Sequence, residues 1–167
     1  AVNPGRYPCR APGQRKPALV FVGKCSPHRR AFFRELRALG VPLEAYGPGA
    51  GDWKHPWRSR RFNAAPVARL YGTHAACLNL PQPGNTEQGL NLRAFEVPCA
   101  GGVSLYPEVP DLARCFEPGT EMLVYRDARD IAENIVPRLG DSGKLEEIAA
   151  AGRRRVLAEH TFEHRAR

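Results

Sequence analysis

No run in this sequence approaches the roughly 18 consecutive apolar residues that a membrane span needs, and the stretch Ala1 to Lys16 carries no apolar core of the kind a secretory leader has. There is no C-x-x-C, so neither a zinc ribbon nor a thioredoxin-type redox motif is present. G-x-G-x-x-G is missing, and so is any D-x-D arrangement that would demand a metal. No internal repeat or heptad occurs. Lysine is scarce, with 4 Lys against 21 Arg. Residues 1–30 hold seven basic groups and no acid at all.

What remains is ordinary for a globular domain. The chain has 167 residues, of which 43% are apolar and 25% charged, with 16 Gly and 16 Pro. That is one domain's length and below the Gly and Pro content of a disordered chain. The net charge of +8 is an N-terminal excess, because residues 121–167 carry nine bases and nine acids. A basic arm that binds nucleic acid is one implication, but no stacking motif or zinc spacing accompanies it, and no nucleic-acid partner is expected. The five cysteines (Cys9, Cys25, Cys77, Cys99 and Cys115) are odd in number and widely spaced. They suggest a reducing, cytoplasmic setting, with Cys77 and Cys99 as small buried hydrophobes.

Residues 1–17 contain four prolines and no periodic apolar pattern, as expected of a linker rather than a folded element. From Ala18 the pattern alternates. Ala18–Val22 is an apolar run closed by Gly23, the signature of a strand covered on both faces. Ser26 then offers an N-cap before Pro27, with Phe32, Phe33, Leu36 and Leu39 at helical spacing and Gly40 as the stop. Strands are expected at Leu43–Tyr46, Ala75–Leu80, Gly102–Tyr106 and Glu121–Tyr125. Helices are expected at Ala65–Tyr71, Gly89–Val97, Val109–Cys115, from Asp127 through Leu139, and from Lys144 to His160. This alternation defines an α/β, Rossmann-like parallel sheet with helices on both faces.

Ligands of such sheets bind at the carboxyl ends of the strands, beside helix N-termini. Two places there carry unusual residues. In the loop Gly23–Arg30, a glycine, Lys24, Arg29 and the helix amides suit a diphosphate, which needs both charge and donors; a junction with solvated bases is the plainer reading. In Glu87–Glu96, the polar loop with Gly89 and Leu90 runs into a helix bearing Asn91, Arg93 and Glu96. A carboxylate at Glu96 can accept two ribose hydroxyls, while an amphipathic helix with a polar face explains the same residues.

The stretch Asn91-Leu-Arg-Ala-Phe-Glu-Val-Pro-Cys-Ala-Gly-Gly, with Val109-Pro-Asp-Leu, Phe116-Glu-Pro-Gly and Tyr125-Arg-Asp-Ala, resembles the C-terminal half of GT-B glycosyltransferases. The nearest likeness is to the CgeB-like, spore-maturation-protein family. The ending Ala151 to Arg165 resembles that family's final helices, and Val2 to Tyr7 the linker entering this half. The resemblance implies a nucleotide-sugar-binding domain over 18–167, with residues 1–17 a linker from an acceptor domain that precedes it. It implies that Lys24 and Arg29, in exchanged positions, hold the diphosphate. It implies that Glu96 is the ribose-binding second Glu of an E-x7-E motif. At the first position of that motif stands Gln88, with Glu87 one place off; these two are the candidate catalytic residues, and retaining or inverting stereochemistry stays open. No metal is expected, since Lys24, Arg29 and the helix dipoles can meet the charge on the leaving diphosphate. Arg93 is expected at phosphate or sugar, Asn91 near the same point, and the base near Tyr46-Gly47 and Arg61-Phe62-Asn63. The alternatives are a GT-B nucleotide-sugar epimerase half and a non-catalytic nucleotide- or polyanion-binding module.

Three further features have plainer readings. His160 and His164 stand four apart like zinc ligands, but a solvated helix end explains them. Trp53 and Trp57 form a stacking platform or a packed surface loop. Arg153-Arg154-Arg155 is balanced by Glu146, Glu147 and Glu159 as a solvated helix face.

Overall fold

The computed structural model describes residues 1–9, 11, 13–49, 64–82 and 89–166. The first apolar run forms strand β1 (Lys16–Val22), followed by β2 (Leu43–Tyr46), β3 (His74–Leu78), β4 (Ser104–Pro107) and β5 (Leu123–Tyr125). All pairings are parallel, in the order β2-β1-β3-β4-β5. Between the strands lie helices α1 (Pro27–Ala38), α2 (Ala64–Thr73), α3 (Arg93–Cys99) and α4 (Leu112–Cys115). After β5 come α5 (Ala128–Asp130), α6 (Ser142–Glu159) and α7 (Phe162–Arg165). The α/β parallel sheet is as expected.

Because side chains alternate along a strand, β1 feeds both layers. Leu19 and Phe21 join Leu78, Leu105 and Leu123 beneath α1, the helical segment after β5 and the first half of α6. Val20 and Val22 join Cys77, Tyr71 of α2 and Val97 of α3 on the other face. A third cluster of Phe95, Tyr106, Phe116, Met122 and Val156 extends that second face. Helix α6 passes close to the chain before β5: a Cβ on Gly152 would lie 2.4 Å from the Glu121 carbonyl oxygen, so only glycine fits there. No helix among the described residues is long and apolar enough to cross a membrane.

Three local expectations change. Helix α3 begins at Arg93 rather than Gly89, because Asn91 is held by bonds outside the helix (below). The segment after Asp127 starts as α-helix, with the Asp127 side chain accepting from the Asp130 N–H. It then widens to a π turn (Ile131–Ile135) and tightens to 3-10 (Val136–Arg138), since Pro137 has no N–H with which to continue the ladder. The segment before β1 is not without structure. Val2, 1% exposed, donates its N–H to His160 O at 2.9 Å and accepts from the Phe162 N–H at 3.0 Å, and Pro4–Arg6 form a 3-10 turn capped by Asn3. An apolar side chain with a place in the third cluster outweighs the proline-rich composition around it.

At the amino-terminal end of the sheet, the buried Arg15 ties three helices together. Its Nε donates to Glu146 of α6 at 2.9 Å, Nη2 to Gly101 O at 2.9 Å and Nη1 to Gly72 O at 3.2 Å. Arg15→Ala leaves a carboxylate and two carbonyls without their donor. It is expected to cost about 3 kcal/mol in urea unfolding. Arg114→Ala, which loses only an exposed pair with Asp111, is expected to cost under about 1 kcal/mol. Equal effects would refute the assignment of Arg15 as the tie.

Candidate functional site

In the order 2-1-3-4-5 the chain leaves β1 and β3 toward opposite sides of the sheet. A crevice therefore opens between their carboxyl ends, the usual ligand position in such folds. Gly23, which follows β1, sits in its floor. A Cβ there would lie 3.0 Å from Arg93 Nη2 and 3.3 Å from the Phe21 ring; its absence lets Arg93 approach. Beside it, Ser26 and Pro27 start α1. Ser26 occupies the cap position, yet its hydroxyl makes no capping bond. That Oγ is buried without a hydrogen-bond partner, so the first turn of α1 keeps its N–H groups free of a side-chain cap.

Arg29 closes the crevice. It is 8% exposed; its Nε and Nη2 donate to Leu80 O at 3.0 and 2.7 Å, and its Nη1 to Lys24 O at 2.9 Å. Arg29 and Arg93 place their guanidinium carbons 5.2 and 5.4 Å from the centroid of the same Phe21 ring. Burial, and then the charge of Arg93, lower the Arg29 pKa. At Arg93, burial opposes the charge, but the nearby Tyr71, Cys77 and Glu96 outweigh it and raise the pKa. Among the described residues, neither arginine forms an ion pair, and Arg93 Nε is buried without a hydrogen-bond partner. Lys24 is exposed in the same loop. Two close cations, an uncapped helix start and a glycine floor make this the electropositive centre of the crevice.

The second sequence-predicted group lies across β3. Asn91 and the fully buried Asn79 exchange side-chain amide bonds, Asn79 Nδ2 to Asn91 Oδ1 at 3.0 Å and Asn91 Nδ2 to Asn79 Oδ1 at 2.9 Å. The Asn91 N–H donates to the Tyr106 hydroxyl at 3.0 Å, and that hydroxyl lies 3.5 Å from Gly89 O. The Tyr125 hydroxyl donates to Asn79 O at 2.8 Å. Asn91 is thus engaged in holding the loop before α3, and the Leu90 side chain packs into the third cluster. Glu96, one turn into α3, accepts a hydrogen bond from the Tyr7 hydroxyl. So Gly23, Lys24, Arg29 and Arg93 share one crevice, Glu96 lies on the Tyr71 side of Arg93, and Gly89, Leu90 and Asn91 form a braced loop.

Glu87, Gln88, Trp53, Trp57 and the Arg61-Phe62-Asn63 segment lie outside the described residues. His160 is not a solvated helix end: it is buried between Phe95 and Phe116, at 5.1 and 5.6 Å between ring centroids, with Nε2 3.0 Å from Cys115 O. His164 pairs instead with Thr161. Among the described residues no group of three His, Cys, Asp or Glu side chains converges. The arginine run is only partly a solvated face, because Arg153 donates to Cys99 O and Arg155 to Glu121. Of its proposed acidic partners, Glu146 is held by Arg15 and Glu147 by Lys144. Cys77 and Cys99 are buried as expected. Sequence reasoning missed Asn79, whose signal was a single amide inside an apolar run. It also missed Tyr7, which carries no local signal.

The family model and the solved structures that this chain resembles make it a C-terminal-type domain of the GT-B glycosyltransferase fold. A model of the family described as "Glycosyl transferase-like" matches residues 28–167, and the chain belongs to that family. It superposes on a sucrose-phosphate synthase from Thermosynechococcus elongatus with TM-score 0.70 at 18% identity, covering 97% of this chain and 47% of that one. The C-terminal domain of a group 1 family glycosyl transferase (LpcC) from Francisella tularensis gives TM-score 0.66 at 11% identity, covering 96% of this chain and 99% of that one. Anabaena HepE, solved in complex with UDP, gives 0.61 at 11% identity over 84% of this chain and 44% of that one. The chain thus spans about half the length of the synthase. Among curated proteins, none matches.

Two outcomes follow from the site's polar groups. Asn91→Ala strands the buried Asn79 amide and is expected to cost about 1–3 kcal/mol in urea unfolding. Adding Asn79→Ala should cost much less than it does alone, and strict additivity would show that the two amides are not coupled. Within β2, burial pushes the Glu44 carboxyl up, but hydrogen bonds from Lys16, Tyr46 and His74 outweigh it and hold it at about 2, below its usual 4.5. A depressed carboxyl stabilises the fold above its unfolded pKa, so this contribution is full above pH 4.5 and disappears toward pH 2. Stability measured across that window should fall less steeply with acid in Glu44→Gln than in the wild type.

Proposed function

We propose that this chain is the donor half of a glycosyltransferase and binds a nucleoside-diphosphate sugar. The observation that carries the reading is the pair Arg29 and Arg93, two guanidinium groups over one Phe21 ring, neither of them in an ion pair among the described residues. They stand beside Gly23 and the uncapped start of α1. A diphosphate supplies the missing negative charge and accepts from both cations and amides. In this reading Lys24 reaches the diphosphate from the exposed side of the loop, Arg29 holds the loop in place, and Arg93 faces phosphate or sugar. Glu96 takes the ribose hydroxyls, and the base lies toward Tyr46 and Gly47.

When the sugar–phosphate bond breaks, its electron pair stays on the phosphate oxygen. Fixed cations aimed at that oxygen lower the barrier without reorganising, so the proposed transfer uses no metal. An acceptor domain ahead of residues 1–17, a CgeB-like subfamily and a cytoplasmic setting complete the proposal. The sugar donor is held here, and the acceptor is contributed by the preceding domain.

UDP is the first probe, because a neighbour of this fold was solved with it; GDP and ADP follow. At 100 times its Kd a bound nucleotide stabilises by about 2.7 kcal/mol, which a thermal-shift measurement resolves. The shift is expected to vanish in Glu96→Ala and Lys24→Ala and to persist in EDTA. Indifference of the wild-type chain to all three nucleotides would sink the donor-site reading.

A further inference from the structure

Resting on the donor-site reading, we propose that Tyr7 occupies the ribose position on Glu96 and competes with the incoming nucleotide. The phenol donates its O–H to Glu96 Oε1, the interaction a ribose hydroxyl would make with the same oxygen. Burial, and then the bond to Glu96, hold the Tyr7 pKa far above its usual value, so the group stays a donor throughout the physiological range. The ring is half-buried and packs between the cluster of Val20, Val22, Tyr71 and Cys77 and the cluster of Phe95 and Cys99. Tyr7 therefore brings a hydroxyl donor, on a flat apolar ring, to the carboxylate assigned to the ribose.

The connections of Tyr7 fit a displaceable plug. Upstream, Val2 is buried and bonded to His160 and Phe162. Downstream, Arg15 is buried and tied to Glu146, Gly72 and Gly101. Pro8, Cys9, Ala11, Gly13 and Gln14, between Tyr7 and the second anchor, are exposed. Rotation of the Tyr7 side chain off Glu96 requires neither anchor to move. A ribose diol engages a carboxylate with one hydroxyl on each oxygen, so a nucleotide that uses both oxygens must take Oε1 from Tyr7. The segment then acts as an internal competitor, and occupancy of the site depends on its release.

Tyr7→Phe keeps the ring and deletes the donor. Isothermal titration of the wild-type and Tyr7→Phe chains with UDP, GDP, ADP, their 2′,3′-dideoxy forms and inorganic pyrophosphate tests the competition. Loss of one hydrogen bond to a charged acceptor should tighten ribonucleotide binding about tenfold, or ~1.4 kcal/mol. The gain should shrink for the dideoxy forms, and pyrophosphate affinity should not change. Weaker ribonucleotide binding by Tyr7→Phe would mean that Tyr7 positions Glu96, and the competition is overturned. Unchanged affinity overturns it, as does an equal gain with the dideoxy forms or with pyrophosphate. If neither chain binds any nucleotide, the donor-site reading fails and the competition with it. Binding with no Tyr7 effect removes the competition alone.

Discussion

The Arg29 guanidinium spans the crevice between β1 and β3, and the rest of the site depends on that bridge. A guanidinium taken out of water is unfavourable unless its N–H groups find acceptors. Here the carbonyls of Lys24 and Leu80 supply them, so the loops after β1 and β3 are bound to one side chain of α1. Carbonyls satisfy donors without cancelling charge. The crevice therefore stays positive, and Arg93 adds a second cation against the same Phe21 ring. Structural bracing and uncancelled positive charge come from one residue.

The opposite end of the sheet uses the same chemistry to a different end. Arg15 also donates to backbone carbonyls, but it meets Glu146 as well, so its charge is neutralised and nothing there invites an anion. The contrast between a paired and an unpaired buried arginine separates the structural pole of the domain from its candidate ligand pole. The Asn79–Asn91 exchange brings the loop before α3 to the ligand pole with its amides already committed. Arg93 and Glu96 stand on the helix that follows, with Glu96 already accepting from Tyr7. Tyr7 links this pole to the amino-terminal segment.

Much of the fold was legible because its signals are local. The apolar run Ala18–Val22, the stop at Gly40 and the Asp127 cap each depend on neighbours within a few residues, and the elements formed where they pointed. Gly89–Val97 reads as one helix because its apolar spacing is right. The real start at Arg93 is set by Asn79, twelve residues upstream of Asn91 and in a different strand. The histidine at 160 reads as solvated from its polar surroundings in sequence, yet α6 packing brings it between two phenylalanines. Residues 1–17 read as linker by composition, while Val2, Tyr7 and Arg15 secure them to the domain.

By itself, the sequence determined the parallel α/β architecture, its candidate ligand edge and the candidate residues Gly23, Lys24, Arg29, Arg93 and Glu96. Periodicity and turn chemistry are properties of short windows, and they survive any arrangement of the whole. Only the tertiary structure decided which of these charges are paired. Arg29 received carbonyls, Arg15 a carboxylate, Asn91 an amide and Glu96 the hydroxyl of Tyr7. Leu80, Glu146, Asn79 and Tyr7 stand 51, 131, 12 and 89 residues from the groups they meet, at separations no local pattern encodes, and the free energy of a buried polar group depends on that partner.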